Sequence, residues 1–511
     1  QYTFINTTEY NFGEVGPTTL GVKNIFGYEQ STGTTGWMVD GFGGRIQGAI
    51  ALNNLANYNY SSSANQVGNQ PVYEKGPSTK QYTNELQFQG DINNGLVNWI
   101  LGGYYQRVEL PSNTDGVRNM YQVFEGVLTP NLGWQPAFPF QDGGYTEQEA
   151  AFVQATFDLS SWFPAVAGVH LTGGFRRSWD EEKLDTVGVS VSYPSGEMVP
   201  GNPATSRSKS DGDNTSISLD VQVTDDLLVY LARREGYRPG GQNQVIASIG
   251  LPNYSPAYGP ETVEDWELGL KYAFATDAVQ GRLNIAAYRA DYTDIQRTLR
   301  AFVNGASAVY QANVAEARLE GIEVQGSFVS GPWQLDLTYS YGDAGYEEWV
   351  GSDPFNLIRP GDPMCLPEST AEACLLDLSG NAIPNTPKHQ ASATVSYDIP
   401  INEQYGQLMA SFTVSHRSRA YLVGESERNI QIFGDDILDA ISVPSYERYD
   451  ARLDWSNVFG SNFDAGLFVY NATDELYAVS AVTQMTTLGM GVKMYAPPRT
   501  WGAELTYRFG Q

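Results

Sequence analysis

The chain has 511 residues, and 30 Lys plus Arg against 58 Asp plus Glu give a net charge of -28, which excludes nucleic acid as a partner because phosphate would be repelled. Aromatic residues make up 13%, with 32 Tyr and 53 Gly, a composition that favours strands and turns over helices. No apolar run reaches the roughly 18 residues that a membrane-crossing helix needs. No basic stretch followed by an apolar one opens the chain at Gln1, so the signal peptide of an exported protein is expected to have been removed.

In chain order, QYTFINTTEYNF reads as a strand running down to a tight turn in GEVGPT, residues 13–18. A polar, Gly- and Pro-rich connection follows over about 30–80. NELQFQGDINNGLVNWILGGYYQRVE (84–109) reads as a hairpin folded at NNG (93–95), and a second long connection covers 109–146. In ISLDVQVT, Ile217, Leu219, Val221 and Val223 share one face, and Ser218, Asp220, Gln222 and Thr224 share the other. This period of two is a strand signal, and no stretch shows a convincing helical period. TDD (224–226) turns the chain into LLVYLARREGYRPGGQNQ (227–244), and a connection over 237–260 leads to PETVEDWELGLKYAF (260–274). NVAEARLEGIEVQGSF (313–328) and WQLDLTYSY (333–341) flank a tight SGP turn (330–332). In the second of these, Trp333, Leu335, Leu337, Tyr339 and Tyr341 oppose Gln334, Asp336, Thr338 and Ser340. After a long connection over 342–387, ASATVSYDI (391–399) alternates again. A connection over 421–445 precedes YDARLDWS, where Tyr449, Ala451, Leu453 and Trp455 face away from Asp450, Arg452 and Asp454. FGSN (459–462) is tight, 474–498 is long, and the chain closes on PRTWGAELTYRFGQ. There Trp501, Ala503, Leu505, Tyr507 and Phe509 oppose Gly502, Glu504, Thr506 and Arg508.

The expected strands are long, roughly 9–14 residues against about 5–6 in globular proteins. Tight and long connections alternate, as they do in an antiparallel up-and-down barrel trimmed at one rim and elaborated at the other. No repeat of roughly 40–50 residues supports a propeller. The polar faces carry too many charges for a dry core and suit a wet lumen. The apolar faces carry aromatic clusters (Trp99 with Tyr104 and Tyr105, Trp333 with Tyr339 and Tyr341, Trp501 with Tyr507 and Phe509) that suit interfacial girdles. The fold class is therefore all-β, a transmembrane barrel with its apolar face toward lipid, and in lipid the sheet must close. The count reaches about 17 strands, whereas single-chain outer-membrane barrels have even numbers. Short turns on the periplasmic rim place the first strand in mid-barrel, so further N-terminal strands are expected outside residues 1–511.

Few candidate sites stand out. Neither the motifs of common enzymes nor a paired CxxC occurs, and no cofactor is expected. Cys365 and Cys374, in CLPESTAEAC, are read as a loop disulfide in preference to two free thiols. Such a bridge would imply an oxidising compartment and stabilise by roughly 2–3 kcal/mol. His170, His389 and His416 are scattered, which argues against a metal or catalytic role. SDGDNTS (210–216) lacks the full calcium-loop spacing and is read as a solvated turn. Arg176 and Arg177, with Asp180 and Glu182 nearby, are read as a lumen face or loop rim. In GYRPGGQN (236–243) the paired glycines mark a rim bend, and Arg238 and Asn243 are candidates to contact ligand or plug in the vestibule. The aromatic and polar loops GWQPAFPFQDGGY (133–145) and YEEWVGSDPFNLIRPGD (346–362) suit either capture of a bulky ligand or packing on one another.

The segments at 84–109, 227–244, 260–274, 313–328 and 497–509, taken in order, resemble the TonB-dependent outer-membrane receptors over nearly the whole chain. The resemblance implies about 22 strands, so about five strands and an N-terminal plug domain are expected to lie outside this chain. It further implies an energy-coupling TonB protein as partner through a missing N-terminal segment, and a scarce small-molecule ligand, a ferric siderophore by preference. Trp501, Tyr507 and Phe509 would form the terminal signal read by the barrel-assembly machinery, although Gly510 and Gln511 follow where relatives usually end on an aromatic residue. A passive porin and a structural or adhesive surface barrel are the alternative functions.

Overall fold

The computed structural model describes residues 2–32, 60–62, 78–112, 122–124, 138–192, 197–243, 257–303, 306–352, 375–422, 438–484 and 490–509. Among them run seventeen long strands: β1 (Tyr2–Val15), β2 (Thr18–Thr32), β3 (Ser78–Ile92), β4 (Val97–Ser112), β5 (Phe138–Asp158), β6 (Gly168–Ser192), β7 (Glu197–Thr224), β8 (Leu227–Arg238), β9 (Glu261–Ala275), β10 (Gln280–Val303), β11 (Ala306–Ser330), β12 (Trp333–Ser352), β13 (His389–Ile399), β14 (Gln407–Arg417), β15 (Tyr446–Ser456), β16 (Phe463–Tyr470) and β17 (Thr500–Tyr507). Each pairs antiparallel with the next, so the sheet is one continuous meander. The short strand Leu375–Asp377 adds to the outer end of β12. No ladder joins β1 to β17 among the described residues. With an odd number of strands these two edges run in the same direction.

The tight rim follows the turn chemistry. Between β3 and β4, Asn93, Asn94 and Gly95 take φ of 52°, 55° and 94°, a left-handed path that Asn and Gly tolerate best. Asp91 fastens this turn by accepting the Gly95 amide at 3.2 Å, and the Thr19 hydroxyl of β2 donates to its other oxygen.

Register sorts the side chains onto two faces. Val22, Phe88, Leu101, Val153 and Phe175 lie opposite one another along β2 to β6, and Leu219, Leu231, Leu268 and Ala287 do so along β7 to β10. Leu219 is 40% exposed and Leu268 is 55% exposed, so among the described residues no other element covers this apolar band. The other face is the concave one. A single cavity of about 590 Å³ takes lining residues from β8 through β15, which only the hollow of a curved sheet permits. Its lining includes Lys271, Glu323, Gln325, Thr338, Ser392 and Arg417. The period of two thus reads out as expected, apolar outside and polar inside.

Four expectations are corrected. Strands reach 28 residues in β7 and 24 to 25 in β6, β10 and β11, beyond the expected 9–14. About 9–11 residues cross a bilayer, so the β6–β7 and β10–β11 hairpins stand well above the apolar band. SDGDNTS is not a turn but mid-strand in β7, where Asp211 and Asp213 face outward and accept hydrogen bonds from Arg177 of β6. Opposite charges across a ladder support the pairing there. Arg176 and Arg177 therefore part company: Arg176 turns into the lumen, toward Ser178 and Gln148 at 3.2 and 3.4 Å. Tyr104 also faces the lumen, beneath the Arg176 guanidinium at 5.1 Å, and does not join Trp99 and Tyr105 outside.

Candidate ligand-binding lumen and mouth

Ion pairs set on neighbouring strands build the lumen wall. Arg234 of β8 grips Asp265 of β9 with Nε and Nη2 at 3.0 and 2.7 Å, and reaches Glu267 at 2.8 Å. The Tyr230 hydroxyl donates to the same Glu267 at 2.8 Å. Across the sheet, Arg448 pairs with Asp450 at 2.9 Å, Arg452 with Asp454 and Glu504 at 2.8 and 2.7 Å, and Arg508 with Asp464 at 2.5 Å. Between the two groups the wall mixes hydroxyls and amides with Glu323 and Arg417, and Thr394 and Thr413 are joined at 2.8 Å. Arg417 lies in this stretch, and its Nε has no hydrogen-bond partner among the described residues. Such a surface stays wetted, because paired and hydrogen-bonded charges keep their solvent while an apolar guest finds nothing to bury against.

The mouth is built differently, by segments that fold inward and carry the dry packing of the molecule. Ile295, Ala315, Ala317, Tyr346, Trp349 and Leu378 form a small core at the tops of β10 to β12. Arg297 lies over the Tyr346 ring at 5.1 Å and donates to its hydroxyl at 2.8 Å. At the end of the short strand Leu375–Asp377, the Ser379 hydroxyl and then its amide hold the Asp377 carboxyl below the usual carboxylate range. A second packed group holds Ala420, Ile441, Val443, Tyr477 and Ala478, with Tyr446 stacked on Tyr477 at 4.3 Å.

Between these groups and β7, residues 239–243 double back on 257–260 through the short ladder of Gly241–Gln242 with Ala257–Tyr258. A Cβ on Gly240 or Gly241 would collide with Tyr258, so the paired glycines are required by close approach. Asn243 is buried, at 6% exposure. Its Nδ2 donates to the Gln311 carbonyl and its Oδ1 accepts the Gln311 amide, both at 2.7 Å. Gln296 donates to the carbonyls of Pro239 and Gly259 at 2.9 and 3.0 Å. Asn313 accepts the Gly259 amide at 2.6 Å and donates to the Asp294 carbonyl at 2.7 Å. On the other flank the Gly240 amide donates to Ser210 and Gln242 donates to the Arg207 carbonyl, both at 3.1 Å.

The candidate residues fall in separate places. Arg238 stands at the mouth with its side chain 62% exposed, 3.4 Å from Glu261. Asn243 lies in the packed strap just described. Trp501 and Tyr507 line the outward face of β17 and Phe509 follows its end, exposed at 78%, 44% and 85%, with Tyr507 and Phe509 edge to face at 4.6 Å. Cys365 and Cys374 lie outside the described residues. Gln296 and Asn313 escape sequence reading because each is a lone amide in a strand. The nearest signal is Asp294, whose φ of 54° marks the bulge that turns Gln296 inward.

The family described as TonB dependent receptor-like, beta-barrel, matches residues 2–509. The chain belongs to that family. The TonB-dependent receptor barrel is an outer-membrane fold, and in that setting the apolar band is the face that meets acyl chains. The barrel is 24% identical over 373 residues to the pesticin receptor of Yersinia pestis, covering 70% of this chain and 46% of that protein. It thus spans about half the length of the curated relatives it matches. Among solved structures it is similar to the ferric yersiniabactin uptake receptor FyuA from Yersinia pestis, with a TM-score of 0.59, 16% identity, and 98% of this chain and 60% of that one covered. The ferric preacinetobactin receptor BauA from Acinetobacter baumannii gives a TM-score of 0.56 at 15% identity, over 98% and 62%. The copper transporter OprC gives 0.55 at 13%, over 99% and 65%. At these identities the structures speak for the fold.

Proposed function

We propose that this barrel is the outer-membrane part of an energised importer for a scarce ligand, a ferric siderophore in the first instance. The observation that carries this reading is the contrast between a wet, ion-paired lumen and an elaborated, inward-packed mouth. A passive pore has little use for the second feature. An importer needs it to hold ligand above a gated lumen. The relatives named as receptors for pesticin, ferric yersiniabactin and ferric preacinetobactin support the cargo class, and no enzymatic role is proposed. A plug domain and about five further strands would lie outside residues 1–511, closing the sheet between β17 and β1. A TonB-type protein would supply energy through a segment ahead of the plug. The barrel-assembly machinery would read Trp501, Tyr507 and Phe509, and Cys365 and Cys374 would close an extracellular loop. Arg238, exposed at the mouth, is the proposed ligand contact, and Asn243 acts through its seat on Gln311.

The test is uptake of radiolabelled iron–siderophore complexes by iron-starved cells carrying the full-length protein. Saturable uptake abolished by a protonophore, and lowered in Arg238→Ala at unchanged barrel abundance, is expected. Uptake insensitive to the protonophore, with an open conducting lumen, would establish a passive channel instead. Copper uptake in place of iron would keep the importer and change its cargo.

A further inference from the structure

Above Arg238 and Glu261 the sheet has a notch. The β7–β8 ladder ends with Ser216 opposite Arg234, and the β9–β10 ladder ends with Thr262 opposite Thr293. Higher up, β7 stays paired to β6 as far as Glu197, with β5 backing β6 as far as Val189, while β10–β11 continues to Ala306 as a two-stranded ribbon beyond the last β11–β12 pair, Ala315 with Trp349. A two-stranded ribbon on its own is marginally stable in water and free to twist. The notch is filled by residues 239–243 and 257–260, which bond to Arg207 and Ser210 on one ribbon and to Gln296, Gln311 and Asn313 on the other. The two flanks are anchored differently. On the β6–β7 side the bonds come from one backbone amide and one half-buried glutamine. On the β10–β11 side the amides of Asn243 and Gln296, both 6% exposed, satisfy backbone groups in pairs. Removing the Asn243 amide would take a partner from both the amide and the carbonyl of Gln311, and removing the Gln296 amide would take the donor from the Pro239 carbonyl.

We propose that residues 239–243 form a strap that ties the two tall hairpins into one rigid wall of the mouth, with Asn243, Gln296 and Asn313 as its positioning residues. The strap lies at a level where no ladder of the sheet links β7 to β10. It therefore sets the spacing of the hairpins independently of the membrane-embedded barrel. The proposal concerns the protein without ligand and stands or falls separately from the cargo assignment above.

Pulsed electron spin resonance on the full-length protein in lipid nanodiscs tests it, with spin labels at Lys209→Cys and Thr298→Cys and with Cys365 and Cys374 replaced by Ser. Both labelled positions are exposed, one on each hairpin. The expected result is one narrow distance distribution that broadens in Asn243→Ala and in Gln296→Ala, with amide exchange at Gln311 accelerated roughly tenfold. Asn243→Asp, which keeps the acceptor and loses the donor, should fall between. It also provides the readout if the alanine variants assemble poorly. Distributions as narrow in the variants as in the parent, with exchange raised only within 239–243, would overturn the strap.

Discussion

Arg452 and Glu504 meet at 2.7 Å on the lumen face, so that β15 is tied to β17 across the strand between them. The guanidinium passes over Gly466 of β16, where a Cβ would stand 3.0 Å from Nη2. The pair is part-exposed, so a double-mutant cycle of Arg452→Ala and Glu504→Ala in detergent should give a coupling of only roughly 0.2–1 kcal/mol. Gly466→Val should cost about as much as Arg452→Ala, because either change disturbs the guanidinium at both carboxylates. A Gly466→Val variant as stable as the parent would show that the tie is incidental.

Leu219 of β7 faces outward, level with Leu231 and Leu268, while its neighbour Asp220 faces the lumen. Leu219→Arg should destabilise by roughly 2–4 kcal/mol if it sits near the bilayer midplane, measured by reversible unfolding in lipid vesicles. Asp220→Ala should cost far less. The reverse order of costs would mean that the two faces have been exchanged.

Phe509 is 85% exposed and touches Tyr507 edge to face, so its removal sacrifices little packing within the chain. A role in assembly predicts that Phe509→Ala lowers the amount of heat-modifiable barrel in the outer membrane while the barrel that does form unfolds normally. Normal abundance would confine Phe509 to lipid contact.

Acid should loosen the cap over β12. The Asp377 carboxyl is held below its usual range by Ser379, so its contribution is complete above the unfolded value of about 3.9 and is lost as pH falls through the lower folded value. Amide exchange at Leu378, corrected for intrinsic rates, should therefore accelerate on acidification. Asp377→Asn should remove that dependence, and a parent protein whose Leu378 protection is flat with pH would contradict it.

How much was legible in the sequence depended on contrast between faces. Leu219 beside Asp220, or Leu335 beside Asp336, announces both the strand and its orientation, because one face meets lipid and the other water. Above the membrane both faces are wet, the contrast disappears, and Asp211 and Asp213 look like a turn although the β6–β7 ladder runs straight through them. Tyr104 misled for a related reason: an aromatic ring suits a girdle or a lumen cation equally well, and only its even position on β4 decides. The strap was partly visible. Gly240 and Gly241 marked a bend, yet the partner of Asn243 lies 68 residues away, and no local pattern in β11 points back to it.

The most direct measurement scans a strand for what each side chain touches. Cysteines placed singly at positions 217–223, in a protein lacking Cys365 and Cys374, would carry spin labels in native outer-membrane vesicles. Collisions with oxygen, which partitions into lipid, should peak at Ile217, Leu219, Val221 and Val223. Collisions with a water-soluble nickel chelate should peak at Ser218, Asp220 and Gln222. The opposite phase, or no alternation of period two, would contradict an apolar face against lipid and a charged face around water.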